Sequence, residues 1–580
     1  MVTPPGFDVA AEFQAAIQDW KAGRLAQAEQ RYHRVLNAAP RHAHAHHNLG
    51  LLRLGQGLPG AALPYLLHAT ALEPDLAEAH NTLANAYSAL GLDQDAEAGY
   101  RKALALKPGF APAWFNLAAL LERHKKRKEA KAAYREAIAH NPAHRDAHIN
   151  LGNMLRVDRQ VDEAIALMKR AAEIDSQSAL AHNNLGNLYR DKDMLAEAEA
   201  SYRRATEVDP AYDVATLNLG TLYAHLGRIA DAAAMLRRTI GLAPTRGEPY
   251  FQLAHTTRIA PDDPLVSVMR GHYDNPATAD GERMFFAFAL GRIYDAAGRY
   301  DEAFACWQTA NRLRRAQLKF DITAEKTRHE GIKRRFSAEF LATAQPSAFA
   351  DETPIFIVGM IRSGTTLTEQ ILASHPDIAG ADEMMWFRET IEAMKGRAPE
   401  DFAEAGRDYV AKLRERFGTG PRFIVDKMLG NYLHVGEIHL ALPGARIIRV
   451  VRNPYDSMLS AYSSYFAEYH EYIYDMAELA DYYALYMDLM DHWDRVLPGR
   501  IYHQRYESLV ADPEGEVRRL LDFCGLPFNE RCLAFHENDR RVRTASAQQV
   551  REKMNSRSVG RWRNYERHLQ EWKARFGELS

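Results

Sequence analysis

The 580-residue chain has only three cysteines, Cys306, Cys524 and Cys532. Three scattered thiols build neither a disulfide framework nor a metal cluster, so they read as small buried apolar side chains in a reducing compartment. Charge of one sign is also lacking: 73 basic and 76 acidic residues leave a formal net charge of −3. No global field points to nucleic acid or to an anionic membrane. No uninterrupted apolar run reaches the length of a membrane span. Met1 to Phe13 lacks the basic segment and apolar segment of a secretory signal. These absences lead us to expect a cytoplasmic protein with no membrane span, no metal and no nucleic-acid partner. The hydrophobic share of 47% is ordinary for globular protein, and the length suffices for several domains.

What is present first is a repeat. Pro40, Pro74, Pro108, Pro142, Pro210 and Pro244 lie on one 34-residue grid, with Ser176 at the missing point. Ala28, Ala62, Ala96, Ala130, Ala164, Ala198 and Ala232 form a second grid, and Gly50, Ala84, Ala118, Gly152, Gly186, Gly220 and Ala254 a third. This is the tetratricopeptide period, in which two antiparallel helices cross at small residues and proline stops the second. Repeats are expected to start near residues 9, 43, 77, 111, 145, 179 and 213. The period breaks at Ile259 to Asp263, and one more unit follows with Gly291 and Ala303 in the matching roles. The expected layout is a repeat superhelix over 1–317, a helical linker over 318–350 and a second domain over 351–580.

One position of each first helix carries an amide or its near equivalent: Asn48, Thr82, Asn116, Asn150, Asn184, Asn218 and Gln252. Facing the concave groove, such a column could hold an extended peptide; the alternative is hydrogen bonding between neighbouring repeats. It resembles the asparagine ladder of the O-linked N-acetylglucosamine transferase superhelix, so Asn116, Asn150, Asn184 and Asn218 are candidate contacts to a protein or peptide partner.

From Thr353 the pattern turns to short apolar runs alternating with helices, the mark of an α/β domain with a parallel sheet. Strands read at Ile355 to Val358, Arg422 to Val425, Ala445 to Val451 and Ile501 to His503. After the first comes Gly359-Met360-Ile361-Arg362-Ser363-Gly364-Thr365-Thr366 and a helical stretch. Strand, glycine loop and helix aim backbone N–H groups at an anion. The glycines have Walker A spacing, but Thr365 stands where the lysine would be. That disfavours hydrolysis of a nucleoside triphosphate while leaving a 5′-phosphate group open.

These residues resemble the 5′-phosphosulfate loop of sulfotransferases, and look most like the tyrosylprotein branch and its bacterial relatives. The resemblance covers roughly Thr353 to Trp572. It implies 3′-phosphoadenosine 5′-phosphosulfate (PAPS) as sulfate donor, adenosine 3′,5′-bisphosphate as product, and a P-loop-like α/β fold. Arg362, Ser363, Gly364, Thr365 and Thr366 would hold the phosphosulfate. Ala379-Gly380-Ala381-Asp382-Glu383 stands where the family has its base-bearing turn, so Glu383 is the implied general base, unless the turn is merely solvated. The family's arginine two residues on is Met385 here. Lys427, after Asp426, would stabilise the sulfuryl group and the leaving phosphate.

Arg452-Asn453-Pro454, with Ser460, resembles the 3′-phosphate motif; Ser464 replaces a further family arginine. Tyr506 matches a nucleotide contact, Ser546 a contact to the sulfate, and Arg561 a 3′-phosphate ligand. His375 and His434 are the nearest histidines should the base be an imidazole, as in many cytosolic sulfotransferases. A metal is not needed, because a sulfuryl group carries less charge than a phosphoryl group and positioned cations can offset it. The sequence thus points to sulfation of a hydroxyl, with tyrosine of a recruited protein favoured over a glycan or small molecule, or over a scaffold with an inactive domain. A homodimer is compatible with this layout.

Overall fold

Each repeat begins where the 34-residue grid predicts: helices start at Val9, Ala43, Ala77, Ala111, Arg145, Ala179 and Asp213. The structure, a computed structural model, describes residues 7–394, 402–467, 470–538, 540 and 549–577. It divides into two compact units, Met1–Leu222 and Tyr223–Ser580.

In the first unit the three grids have separate physical jobs. A Cβ on Gly50 would stand 2.5 Å from Leu66 Cγ, and one on Gly186 would stand 2.6 Å from Tyr202 Cδ1. Backbone and partner side chain therefore meet where a larger residue would force the helices apart. Ala28, Ala62, Ala96, Ala130, Ala164 and Ala198 are fully buried in the same crossings. The second helices end at Ala38, Leu72, Leu106, His140 and Val208, two residues before each grid proline. The helix ending at Ile174 stops without one, beside Ser176.

The amide column lies half-buried between neighbouring helices. Asn116 Nδ2 donates to Asn81 Oδ1 and Asn85 Oδ1 at 3.1 and 3.0 Å, and Asn150 Nδ2 to the Tyr134 hydroxyl at 3.1 Å. Asn184 Nδ2 donates to Asn153 Oδ1 at 3.2 Å and Asn218 Nδ2 to Asn183 Oδ1 at 2.8 Å. These N–H groups are therefore used within the array, where they tie helices together.

The second unit opens with the remaining helices of the array and continues into the α/β domain. After the helix Gly247–Thr256 the period breaks as expected, and helices Pro264–Asp274, Asp280–Ala296, Tyr300–Arg315 and Ile322–Arg335 follow. Asn311 Nδ2 donates to the Tyr462 carbonyl at 2.8 Å, and Arg315 grips Glu478 with two hydrogen bonds of 2.6 and 2.7 Å. The unit boundary at 222/223 thus precedes the domain boundary at 317 read from the repeat period. Periodicity marks where the repeat pattern ends, whereas compactness follows the faces that bury each other.

Among the described residues five parallel strands form the sheet: β1 (Pro354–Gly359), β2 (Ile378–Gly380), β3 (Phe423–Asp426), β4 (Arg446–Val451) and β5 (Ile501–Arg505), in the order β2-β3-β1-β4-β5. β1 and β3 are buried along their whole length, as strands covered on both faces must be. β2 escaped the sequence reading because three residues ending in glycine are too short to show a period. The chain leaves β1 towards β2 and β3, then crosses to β4 on the other side. A crevice opens at that reversal, beyond the carboxyl ends of β1 and β4.

The turns between paired helices supply a test. Gly23, Gly57 and Gly91 have φ near +75°, and the grid-equivalent Lys125, Arg159 and Asp193 adopt φ of 60°, 59° and 65°. A side chain is strained in this left-handed region. Arg159→Gly is expected to stabilise the array by about 0.5–1 kcal/mol, read as a higher thermal midpoint. An unchanged or lower midpoint would contradict the strain.

Candidate active site

The loop after β1 is shaped by close approach. Gly364 has φ of 106°, and a Cβ there would meet Tyr506 Cδ2 at 2.6 Å. A Cβ on Gly359 would stand 2.8 Å from Ser363 Oγ and 3.0 Å from the Val450 carbonyl. Arg362 itself takes φ of 65°. Its Nε donates to Ser460 Oγ at 2.9 Å and its Nη2 to Gln549 Oε1 at 3.2 Å. Arg452 donates to the carbonyls of Arg362 and Ser558 at 2.9 and 2.6 Å, and its guanidinium lies 4.7 Å from the Tyr506 ring centre. The loop arginine, Arg452, Ser460 and Tyr506, nearly 150 residues apart in sequence, are thus brought to one corner.

That corner is electrostatically strained. Burial, then the charges of Arg452, Arg561 and Arg292, pull the Arg362 guanidinium down to about 10. Ser363 Oγ and Arg452 Nε are buried without hydrogen-bond partners. Clustered cations and unused donors around a glycine loop fit an anionic phosphosulfate or phosphate.

A second polar cluster lies at the carboxyl end of β3. Lys427 is fully buried, and its Nζ contacts Glu383 Oε1 at 2.5 Å, while the Glu383 side chain is 42% exposed. The Glu383 turn is braced from several sides. Ala381 N–H donates to the Val425 carbonyl at 2.8 Å, Lys427 N–H to the Asp382 carbonyl at 3.0 Å, and Asp382 N–H to Glu369 Oε1 at 2.8 Å. Arg540 Nη2 bridges Glu369 and Asp382 at 2.6 and 2.9 Å. One cavity of about 1100 Å³ joins both ends, lined by Arg362, Arg452, Arg561, Glu383, Ser460 and Tyr506 among others.

Comparison with known proteins meets this geometry. Residues 354–530 match the profile of the sulfotransferase family. The C-terminal domain is a sulfotransferase-family domain. Residues 13–75, 47–111 and 179–212 match tetratricopeptide profiles, and 80–192 the middle tetratricopeptide-like domain of cilia and flagella-associated protein 70. An uncharacterized protein of Aquifex aeolicus is 30% identical over 328 residues, 53% of this chain and 43% of that protein. A putative protein-tyrosine sulfotransferase of Caenorhabditis briggsae is 24% identical over 241 residues, 36% of this chain and 81% of that one. An omega-hydroxy-beta-dihydromenaquinone-9 sulfotransferase of Mycobacterium bovis is 34% identical over 110 residues, 17% of this chain and 28% of that one. The chain therefore spans less than half the length of two of these three relatives. Among solved structures, YrrB, a tetratricopeptide protein with an unusual peptide-binding site, overlays with a TM-score of 0.28 at 27% identity, covering 31% of this chain and 92% of that one.

The sulfotransferase domain recruits residues that no sequence motif flagged. Glu369 and Arg540 brace the Glu383 turn, and Arg292 and Asp295 reach the cavity from the helix Asp280–Ala296. Nothing in their local sequence marks them, because each matters only through a contact distant in the chain. Asp456 accepts from the N–H groups of Gly560 and Trp562 at 2.6 and 3.0 Å, which sets Arg561 in the cavity wall. Ser464 donates to the Ser460 carbonyl at 2.8 Å. Ser546 lies outside the described residues.

His375 is buried and its ring nitrogens meet the Pro527 carbonyl and the Asp377 N–H, both at 3.2 Å, away from the cavity. His434 lines the cavity, and burial pulls it to about 4. His470, missed in the sequence, lines it too. Burial lowers its basicity, while the Glu383 carboxylate opposes that shift. Among the described residues no helix is long and apolar enough to cross a membrane.

Asp426, beside Lys427, gives a pH prediction. Burial raises it to about 6 against a usual 3.8, despite hydrogen bonds from the Tyr409 hydroxyl at 2.6 Å and Met428 N–H at 2.9 Å. Between pH 4 and 6 the folded domain keeps a proton that the unfolded chain has lost. The contribution of Asp426 to stability is therefore fully present below pH 4 and is lost as pH rises through 6, about 3 kcal/mol in all. Asp426→Asn should flatten this slope in denaturant titrations from pH 4 to 7, leaving the parts due to Glu369 and Glu437, which burial also raises. An equally steep slope in the variant would refute the assignment.

Proposed function

We propose that the sulfotransferase domain moves the sulfuryl group of PAPS to an acceptor hydroxyl, a tyrosine of a protein or peptide recruited by the repeats. The observation that carries this reading is the shared cavity. Glu383, paired with the buried Lys427, and the Arg362–Arg452 corner line one space of about 1100 Å³, room for a nucleotide and an acceptor side chain together. The donor would supply sulfur already activated as an anhydride with phosphate.

Arg362, Ser363, Gly364, Thr365 and Thr366 hold the phosphosulfate, and Arg452, Ser460 and Arg561 hold the 3′-phosphate beside Tyr506. Ser546 is kept as a sulfate contact on the resemblance alone. Glu383 takes the proton of the attacking hydroxyl as the new O–S bond forms. The bond between sulfur and the 5′-phosphate oxygen breaks with its electron pair staying on phosphate. Lys427 and Arg362 offset the charge that grows there. A cytoplasmic setting is supported by three free buried thiols. A homodimer remains part of the proposal only as an arrangement compatible with it.

A second reading, transfer to a glycan or small-molecule hydroxyl, is favoured by the relative named for a dihydromenaquinone. A repeat scaffold with an inactive domain is disfavoured by the intact Lys427–Glu383 pair.

The full-length protein is incubated with ³⁵S-labelled PAPS and a cell lysate. Label in protein supports the first reading, label in glycan or small molecules the second, and no transfer at all overturns both. Calorimetry is expected to show adenosine 3′,5′-bisphosphate binding at least tenfold more tightly than ATP, whereas equal affinity would reject the donor. Glu383→Gln should keep that binding while turnover falls roughly 10²–10⁴-fold. A variant with near-normal turnover would place the base elsewhere.

A further inference from the structure

The helix Asp280–Ala296 belongs to the last repeat-like pair and lies before the sulfotransferase domain in sequence. It nevertheless forms part of the cavity wall. Arg292 and Asp295 line the same space as Arg362, Arg452 and Arg561. Asp295 Oδ2 pairs with Arg561 Nη2 at 2.8 Å, and its Oδ1 accepts from the Tyr565 hydroxyl at 2.6 Å. Arg561 is thereby held from the repeat side as well as by its own turn.

Arg292 is oriented too. Its Nε donates to the Ala254 carbonyl at 2.9 Å. Among the described residues no carboxylate lies within ion-pair distance of it. Burial and the nearby Arg561 charge weaken its hold on its proton, and Asp295 restores it in part. The helix that carries it is rigidly seated. Gly291 lets the Trp307 ring pack directly on the backbone, Phe304 stacks on His568 with ring centres 4.4 Å apart, and Asp301 Oδ1 meets His568 Nε2 at 2.8 Å. His568 closes the short helix Arg561–His568, so the repeat pair and the Arg561 segment interlock.

Four guanidiniums therefore converge on a space that Asp295 neutralises in part. The surplus positive charge matches an anion with more than one charged group. We propose that Arg292 is a donor-binding residue supplied by the repeat array, contacting the 3′-phosphate beside Arg561, and that Asp295 is a positioning residue for Arg561 and Tyr565. This rests on reading the cavity as the PAPS site. Asp295, one turn along the same helix, pairs with Arg561 at 2.8 Å, and this places Arg292 at the 3′ end. The repeats then serve donor binding as well as recruitment.

The test uses full-length protein and calorimetry with adenosine 3′,5′-bisphosphate and adenosine 5′-monophosphate. Arg292→Ala is expected to weaken the bisphosphate at least tenfold and the monophosphate less than twofold, the size of one lost charge-assisted contact. Asp295→Asn should lower the same bisphosphate-to-monophosphate ratio severalfold, a selectivity that general loss of structure would not change. Circular dichroism checks folding without ligand. Should Arg292→Ala fail to fold, Arg292→Gln, which can still donate to the Ala254 carbonyl, carries the same comparison. Wild-type binding with an unaffected Arg292 variant overturns the inference and leaves the donor reading standing. Equal loss for both nucleotides overturns the 3′ assignment. A wild type that binds no bisphosphate removes the donor reading and the inference with it.

Discussion

The mutual repulsion of guanidiniums at the end of β1 is the constraint around which the second unit is built. Burial and three neighbouring arginines pull Arg362 down to about 10. Cations forced together at that cost mark a place prepared for an anion. The surrounding packing keeps them there. Ser460 and Gln549 accept from Arg362, Arg452 is tied to two carbonyls and faces Tyr506, and Asp295 and Asp456 secure the Arg561 segment.

At the other end of the cavity a second arrangement uses burial differently. Lys427 is enclosed while Glu383 keeps access to the open space, so one partner is fixed and the other is available to an incoming group. The turn that presents Glu383 is held by the buried Glu369 carboxylate and by Arg540, which also contacts Asp382. These groups touch no reacting atom in the proposed chemistry. They set where Glu383 stands, and a misplacement of about 1 Å in such a site can cost about 10²-fold in rate.

The repeat array is more than an appendage. Its early helices are held by small-residue crossings and by amides bonded to one another. Its last pair is bonded into the sulfotransferase domain through Asn311, Arg315 and Asp295. Regular repeats stack by nearest-neighbour contacts alone. The chain leaves that regime before the break at Ile259 to Asp263: the compact unit of the sulfotransferase domain begins at Tyr223, and the Phe251 ring meets the Tyr465 ring edge-on at 5.8 Å.

Local and periodic features were legible in the sequence alone. The 34-residue grids located the helix starts from Val9 to Asp213, because each crossing needs a small residue at a fixed spacing. The strand, glycine loop and helix around Gly359 to Thr366 were equally plain, since that layout sits in contiguous residues, whereas Lys427 and the Arg452 motif were expected from the family resemblance. The tertiary structure alone decided what depends on distant surfaces meeting. It showed that residues 223–317 are compact with the sulfotransferase domain, that the Asn116, Asn150, Asn184 and Asn218 amides bond within the array, and that Glu369 and Arg540 brace Glu383. It also brought Arg292 and Asp295 to the cavity. An isolated arginine or aspartate on a helix carries no sequence signal, because its role is set by the field and the partners that folding places around it.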